Sequence, residues 1–383
     1  VAATAADGCE STGRSSSSLL GSLGRCAAHL LFALALLPIA ARGGEVVDPR
    51  RGPAIYVLSG APGRTSALDV LHSRSGETLA HSQLEQAGAS ALALDRSGRV
   101  WVGRKSAFGS HPASIDIVGA DLKHQTQVPT AENPGVGVAF SHGKALIACS
   151  QRGLGGALTA VDLESLSVQT IEVDAPKGGT YILTALAASE QKIVLAGMTS
   201  GPDPKTRYAA ITVIDPRTLK TTWRSQPLEN VDIWQIIPHD DMFILLNVAS
   251  GEGTKQPRSD SFFLSRNNAL VPFATAPAAL WGAVRNGVLY TYHNPTHNSL
   301  RTVPERSLST YNLATRKLTV AKLPDYIDAA DLTLADDRLM LSVKSATPAY
   351  PSGVYTLGLN GADLRLLAKL PGAGKLALGP TRN

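Results

Sequence analysis

Two short elements recur in phase along this chain. One is a tight turn followed by an apolar strand: Gly52 then Ala54-Ile55-Tyr56-Val57, Gly98 then Val100-Trp101-Val102, Gly143 then Ala145-Leu146-Ile147, and Gln191 then Ile193-Val194-Leu195. The series continues with Asp241 then Phe243-Ile244-Leu245, Gly287 then Leu289-Tyr290, and Asp337 then Leu339-Met340-Leu341. The turn positions lie 46, 45, 48, 50, 46 and 50 residues apart. The other element is a strand that ends in a turn and restarts, as in Leu68-Asp69-Val70-Leu71 then Glu77-Thr78, Ile115-Asp116-Ile117 then Lys123-His124, and Val213-Ile214-Asp215 then Lys220-Thr221; it too occurs seven times. A period of this length is that of one four-stranded β unit, and no helix-period segment of useful length follows Ala41.

The ends of the series are incomplete in complementary ways. Gly374-Lys375-Leu376-Ala377-Leu378 is similar to Ala89-Ser90-Ala91-Leu92-Ala93-Leu94, which opens a unit, yet the chain stops soon after it. Ala54-Ile55-Tyr56-Val57-Leu58 reads as a second strand with nothing suitable before it to serve as the first. A C-terminal strand that completes the N-terminal unit closes the series into a ring and leaves no unpaired inner edge. The expected fold is therefore all-β: a seven-bladed β-propeller of four-stranded blades, closed by the C-terminal strand. An evenly spaced β-sandwich explains neither the two phased repeats nor the split unit.

Within a blade the chain runs outward from the innermost strand. The two hairpin turns, such as Asp95-Arg96-Ser97-Gly98 and Arg285-Asn286-Gly287, are short and fall on one face. The connections after the second strand fall on the other and are long, covering roughly 106–112, 201–207, 251–258 and 293–306. Long loops on a rigid scaffold are where binding concentrates, so any functional surface is expected there.

The N-terminus reads differently. Residues 1–25 are rich in Ser, Ala and Gly, which predicts no fixed structure. The uncharged stretch from Cys26 to Ala41, centred on Leu30 to Leu37, follows Arg14 and Arg25 and ends in small residues. That is the layout of a secretory signal peptide, and it is short for a membrane span. The expected organisation is a disordered N-terminus and signal peptide over 1–41, a linker over 42–52 and the propeller over 53–383, with cleavage near Ala41 and a periplasmic or secreted product without a transmembrane span. Cleavage would leave Cys149 as a lone cysteine, read as a small buried strand residue. With 36 basic and 31 acidic residues, a net charge of +5 is too mild to argue for nucleic acid.

Two stretches carry a family resemblance. Pro134-Gly135-Val136-Gly137-Val138-Ala139-Phe140-Ser141-His142-Gly143-Lys144-Ala145-Leu146 and Ile211-Thr212-Val213-Ile214-Asp215-Pro216-Arg217-Thr218 resemble the strand-turn-strand wording of the YVTN-type propellers, a family of secreted and surface seven-bladed propellers. Asp95-Arg96-Ser97-Gly98-Arg99-Val100-Trp101-Val102 also looks like the blade turn of gluconolactonase-like propellers. The resemblance implies seven blades and an exported protein; its motifs mark turns and imply no reaction.

Motifs with chemistry of their own are missing: no haem-attachment motif, calcium loop, nucleophile elbow or phosphate-cradling glycine loop occurs. His293 and His297 lie four apart, but Pro295 between them breaks the helix that would present both to a metal, so they read as loop histidines. The cluster His239-Asp240-Asp241 reads as an ordinary hairpin turn. Charge is more informative. Acidic residues gather where blades begin, with Asp232, Asp328 and Asp331 the candidates for the channel mouth beside Trp234 and Trp281. Basic residues gather in the long loops, with Lys205, Arg207, Lys255, Arg258, Arg301 and Arg306 as a candidate partner-binding rim. An acidic mouth inside a basic rim would accept a cation or amine at the axis and meet an anionic partner outside.

The sequence favours an exported non-enzymatic propeller, expected to be a monomer, that binds a protein or envelope component through its loop-rich face. The alternative is a propeller enzyme of the lactonase or quinoprotein-dehydrogenase type with a metal or substrate site at the channel mouth. No cofactor, metal or catalytic residue is identified by the residues themselves.

Overall fold

In the computed structural model the described residues are 53–379, except 61–64, 105–112, 152–154, 175–180, 201–206, 249–259, 295–305, 325–326 and 345–346. The expected signal peptide and linker, His297, and most of the long loops lie outside them.

The described residues form seven antiparallel sheets arranged as blades. Blade two shows the plan: Ala89–Leu94 is innermost, followed outward by Val100–Arg104, Ser114–Val118 and Gln125–Pro129. Blades three to seven start at Gly137, Tyr181, Ile233, Ala279 and Ala329 and repeat the order, and Leu228–Glu229 adds a short extra strand against Tyr208 and Ala209 in blade four. Second strands are almost wholly buried because they are sandwiched between flanking blades, so Val100-Trp101-Val102 and Phe243-Ile244-Leu245-Leu246 read as unbroken apolar runs. Outer strands face solvent over most of their length, as in Val168–Val173.

Blade one is composite. Ala54–Ser59, Thr65–His72 and Thr78–Ala87 supply its outer three strands, and Ala373–Leu378 comes in as the innermost. Register runs Ile55 to Leu378, Tyr56 to Ala377 and Val57 to Leu376. Backbone bonds extend the zip at both ends, from Gly60 N–H to Gly372 O at 3.1 Å and from Gly379 N–H to Ala54 O at 2.8 Å. Each inner strand packs against the inner strand of the next blade, and the last returns to the first, so the ring is closed as the sequence predicts.

Turn chemistry recurs in several blades. Asp162 Oδ1 accepts the N–H groups of Glu164 and Ser165 at 3.1 and 2.8 Å, and Asp215 Oδ1 those of Arg217 and Thr218 at 2.9 and 2.7 Å. In blade six Asn312 does the same for Ala314 and Thr315 at 3.1 and 2.8 Å. An amide oxygen accepts as well as a carboxylate oxygen here, so the loss of Asp from this position leaves the turn intact.

A second repeat is visible only in three dimensions. Where the second strand ends toward the long loops, a buried polar residue meets a polar residue of the third strand: Ser59 with Asp69 at 3.1 Å, Arg104 with Asp116, Cys149 with Thr159 at 3.7 Å, the Asn247 N–H with Ser261 Oγ at 3.3 Å, and His293 with Ser309 at 2.7 Å. The Arg104–Asp116 pair is fully enclosed, and burial lowers the Arg104 guanidinium to about 10, still protonated at neutral pH. Cys149 is wholly buried and burial pushes its thiol up to about 12, which makes it an inert packing residue. His293 is no loop histidine. It ends the strand Val288–His293, donates from Nδ1 to Pro277 O at 3.1 Å, and accepts at Nε2 from the Ser309 hydroxyl.

Candidate functional site

Six of the seven inner strands carry a bulge near their start: the register against the second strand shifts between Ala89 and Ala91, Leu183 and Ala185, Ile233 and Gln235, Ala279 and Trp281, and Ala329 and Asp331, and opposite Val57 to Ser59 in the closing strand. A bulge re-aims the side chains beside it. Here it turns them along the ring, where they bond to the next inner strand or the residues leading into it. Ser90 Oγ donates to Gly135 O at 3.0 Å, Thr184 Oγ1 to Ile233 O at 2.6 Å, and Trp281 Nε1 to Ala329 O at 3.0 Å. Gln235 grips Gly282 twice, donating to its carbonyl at 3.2 Å and accepting its N–H at 2.6 Å. Asp331 completes the series by accepting the Leu376 N–H at 3.0 Å.

The candidate mouth residues belong to this system. Asp232, just before the inner strand of blade five, is buried; its N–H donates to Asn247 Oδ1 at 2.9 Å and its Oδ2 accepts from Trp234 Nε1 at 3.0 Å. Trp234 sits at the bulge and meets Trp281 of blade six edge-on, with ring centres 6.4 Å apart. Above Trp281 stands Lys375 of the closing strand, its Nζ 3.4 Å from the ring centroid and 3.8 Å from Asp331 Oδ1. Asp331 Oδ1 also accepts the Leu332 N–H at 3.0 Å. Burial raises the Asp331 carboxyl above its ordinary value, against the pull of Lys375 and the two N–H groups. Asp328 is set slightly apart, accepting from Asn294 Nδ2 at 3.0 Å.

The structure thus brings Asp232, Trp234, Trp281 and Asp331 together across blades five to seven and adds Lys375, with Asp328 nearby. It does not make them a ring of solvated carboxylates. Asp232 and Asp331 are buried acceptors that hold strand starts and a tryptophan in place. Among the described residues no group of three or more His, Cys, Asp or Glu side chains is placed to hold a metal ion. No helix among them is long and apolar enough to cross a membrane.

The rim is less fully placed. Lys205, Lys255, Arg258 and Arg301 lie outside the described residues, and Arg207 opens the strand Arg207–Ile214. Arg306 departs from expectation: it is the first residue of the strand Arg306–Asn312, paired with Leu323 and buried, because the third strand of blade six begins inside the stretch that reads as loop. The His239-Asp240-Asp241 cluster is a hairpin turn as expected, with Asp240 in the left-handed region at φ 49°.

No protein-family model and no curated protein matches the chain. Solved structures do. A candidate 6-phosphogluconolactonase from Bacteroides uniformis superimposes with a TM-score of 0.62 at 11% identity, covering 86% of this chain and 99% of that one. BamB from Moraxella catarrhalis gives 0.50 at 11%, covering 83% and 88%. The dihydro-heme d1 dehydrogenase NirN, solved in complex with DHE, gives 0.53 at 13%, covering 90% and 77%. What these structures share with the chain is the course of the backbone. At such identities the likeness speaks for the fold alone, which these proteins put to different uses.

Proposed function

We propose that the protein is an exported, non-enzymatic propeller of the YVTN-like kind that binds a protein or envelope component on the face bearing the long second-to-third-strand loops. The observation that carries this reading is the use made of the inner-strand acids. A general acid, base or metal ligand needs a carboxylate open to the reacting group, whereas Asp232 is buried with Oδ2 on Trp234 Nε1, and Asp331 is buried with its oxygens on the Leu332 and Leu376 N–H groups and beside Lys375. The axial end of blades five to seven is a stiffened platform, and the basic loop residues Lys205, Arg207, Lys255 and Arg258 are the contact residues of this reading.

Retention of the protein on envelope fractions of its host tests this. Charge reversal at those four positions should weaken retention and flatten its salt dependence, since rim charges act through steering. Reversal of Arg96 and Arg217 in the opposite turns should change nothing; the opposite pattern sinks the assignment of the face. Export is tested separately: the N-terminus of protein from the host should fall between about Ala41 and Glu45, and one upstream of Leu30 removes the signal peptide.

A second reading, a lactonase-type enzyme, draws support from the backbone likeness to the Bacteroides protein. Hydrolysis of 6-phosphogluconolactone that is lost in Asp232→Asn, with the fold unchanged, would favour it over the binder.

A further inference from the structure

Between successive blades the turn after the third strand of one blade approaches the outer strand of the blade before it, and a groove runs beneath the contact. Two such grooves invite comparison. The one between blades six and seven, about 360 Å³, is lined by Val288, Tyr290, Thr310, Thr319, Ala321 and Leu359 among others. The one between blades seven and one, about 490 Å³, crosses the seam where the two ends of the chain meet. Register equates their walls. Val288 pairs with Asn312 as Arg338 pairs with Gly358; Tyr290 faces Thr310 as Met340 faces Thr356; and Thr310 faces Thr319 as Thr356 faces Arg365. Valine and threonine in the sixth blade are therefore arginines in the seventh, and blade one adds Arg74 from its turn.

The charges in the seam groove do not cancel internally. Asp336 is held by Arg74 and by the Ser73 hydroxyl, both at 3.1 Å. Asp337 pairs outward at 3.1 Å with Arg285 of blade six, which does not line the groove. Arg338 is fixed by donating to Thr356 Oγ1 at 2.7 Å and to Asp363 O at 3.1 Å, both neutral acceptors. Arg365 is exposed. Among the described residues no carboxylate lies within ion-pairing distance of Arg338 or Arg365. Two guanidinium groups, one of them pre-oriented, share a concave wall with the Ser73, Ser75 and Thr356 side chains.

We infer that this seam groove binds a small, multiply charged anion, phosphorylated or polycarboxylic, through Arg338 and Arg365 with Arg74 at its edge. Because one wall comes from the first described blade and the other from the last complete one, the bound anion also braces the closure of the ring. The site lies on the hairpin-turn side, away from the long loops, so it stands or falls independently of the partner-binding face.

Thermal melting and calorimetry of the folded protein with pyrophosphate and with citrate, against sodium chloride at matched ionic strength, test it. The melting temperature should rise saturably with ligand concentration. Arg365→Glu should weaken binding about tenfold or more, while Thr319→Glu, its counterpart in the apolar groove, should leave it unchanged. Saturation by pyrophosphate alone assigns a phosphorylated ligand and by citrate alone a polycarboxylate; saturation by both supports the shared polyanion chemistry. No saturable response to either, a response equalled by sodium chloride, or undiminished affinity in Arg365→Glu overturns the proposal.

Discussion

Lys375 reaches from the closing strand past blade seven to stand over the Trp281 ring of blade six, 3.4 Å from its centroid, while its Nζ stays 3.8 Å from Asp331 of the blade between. One side chain thus joins three consecutive blades where the ring is completed. A cation held against an indole face in a half-buried setting contributes about 1 to 2 kcal/mol.

Lys375→Met keeps the apolar stem and removes the charge. It should lower unfolding stability by about that amount, and Trp281→Leu in the same background should add less than it does alone. A double-mutant cycle in urea measures the coupling; strict additivity would show that the two side chains merely lie close.

Removal of residues 372–383 takes away the inner strand of blade one and leaves Ala54–Ser59 with a bare edge. The expected outcome is aggregation or a large fall in melting temperature. A truncated protein that melts cooperatively at the parent temperature would show that the closing strand is dispensable.

His293 makes stability depend on pH. Burial lowers its pKa to about 4 from an ordinary 6.5, so between those values the unfolded chain holds more protons than the folded one. Stability should therefore be intact above about pH 6.5 and decline as pH falls toward 4, by on the order of 3 kcal/mol from this residue. His293→Gln should flatten the dependence in that window, as followed by urea unfolding at stepped pH; an unaltered slope would assign the effect elsewhere.

Gly76 and Gly143 form a natural pair of probes. Both have positive φ, 71° and 69°, but a Cβ on Gly76 would fall 2.1 Å from Leu367 O across the seam, whereas one on Gly143 meets nothing within 4 Å. Gly143→Ala should cost about 1 to 2 kcal/mol for the backbone conformation alone. Gly76→Ala should cost about 1 to 3 kcal/mol more, because backbone must shift. Equal melting temperatures for the two variants would mean the seam yields easily.

The ring was legible because its evidence is local and repeated. Turn residues followed by apolar runs announce second strands wherever they occur, and the orphaned Ala54–Ser59 and Ala373–Leu378 imply each other by subtraction. The chemistry of the inner strands was only half legible. Charge counts locate Asp232 and Asp331 near the axis but cannot show that Trp234, at a bulge, or Leu376, 45 residues on, takes up their oxygens. Arg306 and His293 misread as loop residues for a related reason: each is polar at a strand end, and what permits its burial is a partner elsewhere in the blade, as Ser309 is for His293. Position along the chain carries no trace of such a partner.

Gly379 and Ala54 are hydrogen-bonded neighbours at 2.8 Å, so the ring enters and leaves at one place and has no structural origin of its own. Blade one is the one blade among the described residues whose strands come from two distant parts of the chain, 54–87 and Ala373–Leu378. A permuted chain that joins 379 to 53 through a few flexible residues and opens instead between Val173 and Tyr181 would keep every strand pairing while making blade one continuous, and would shift the point of weakest topology away from the arginine-lined groove.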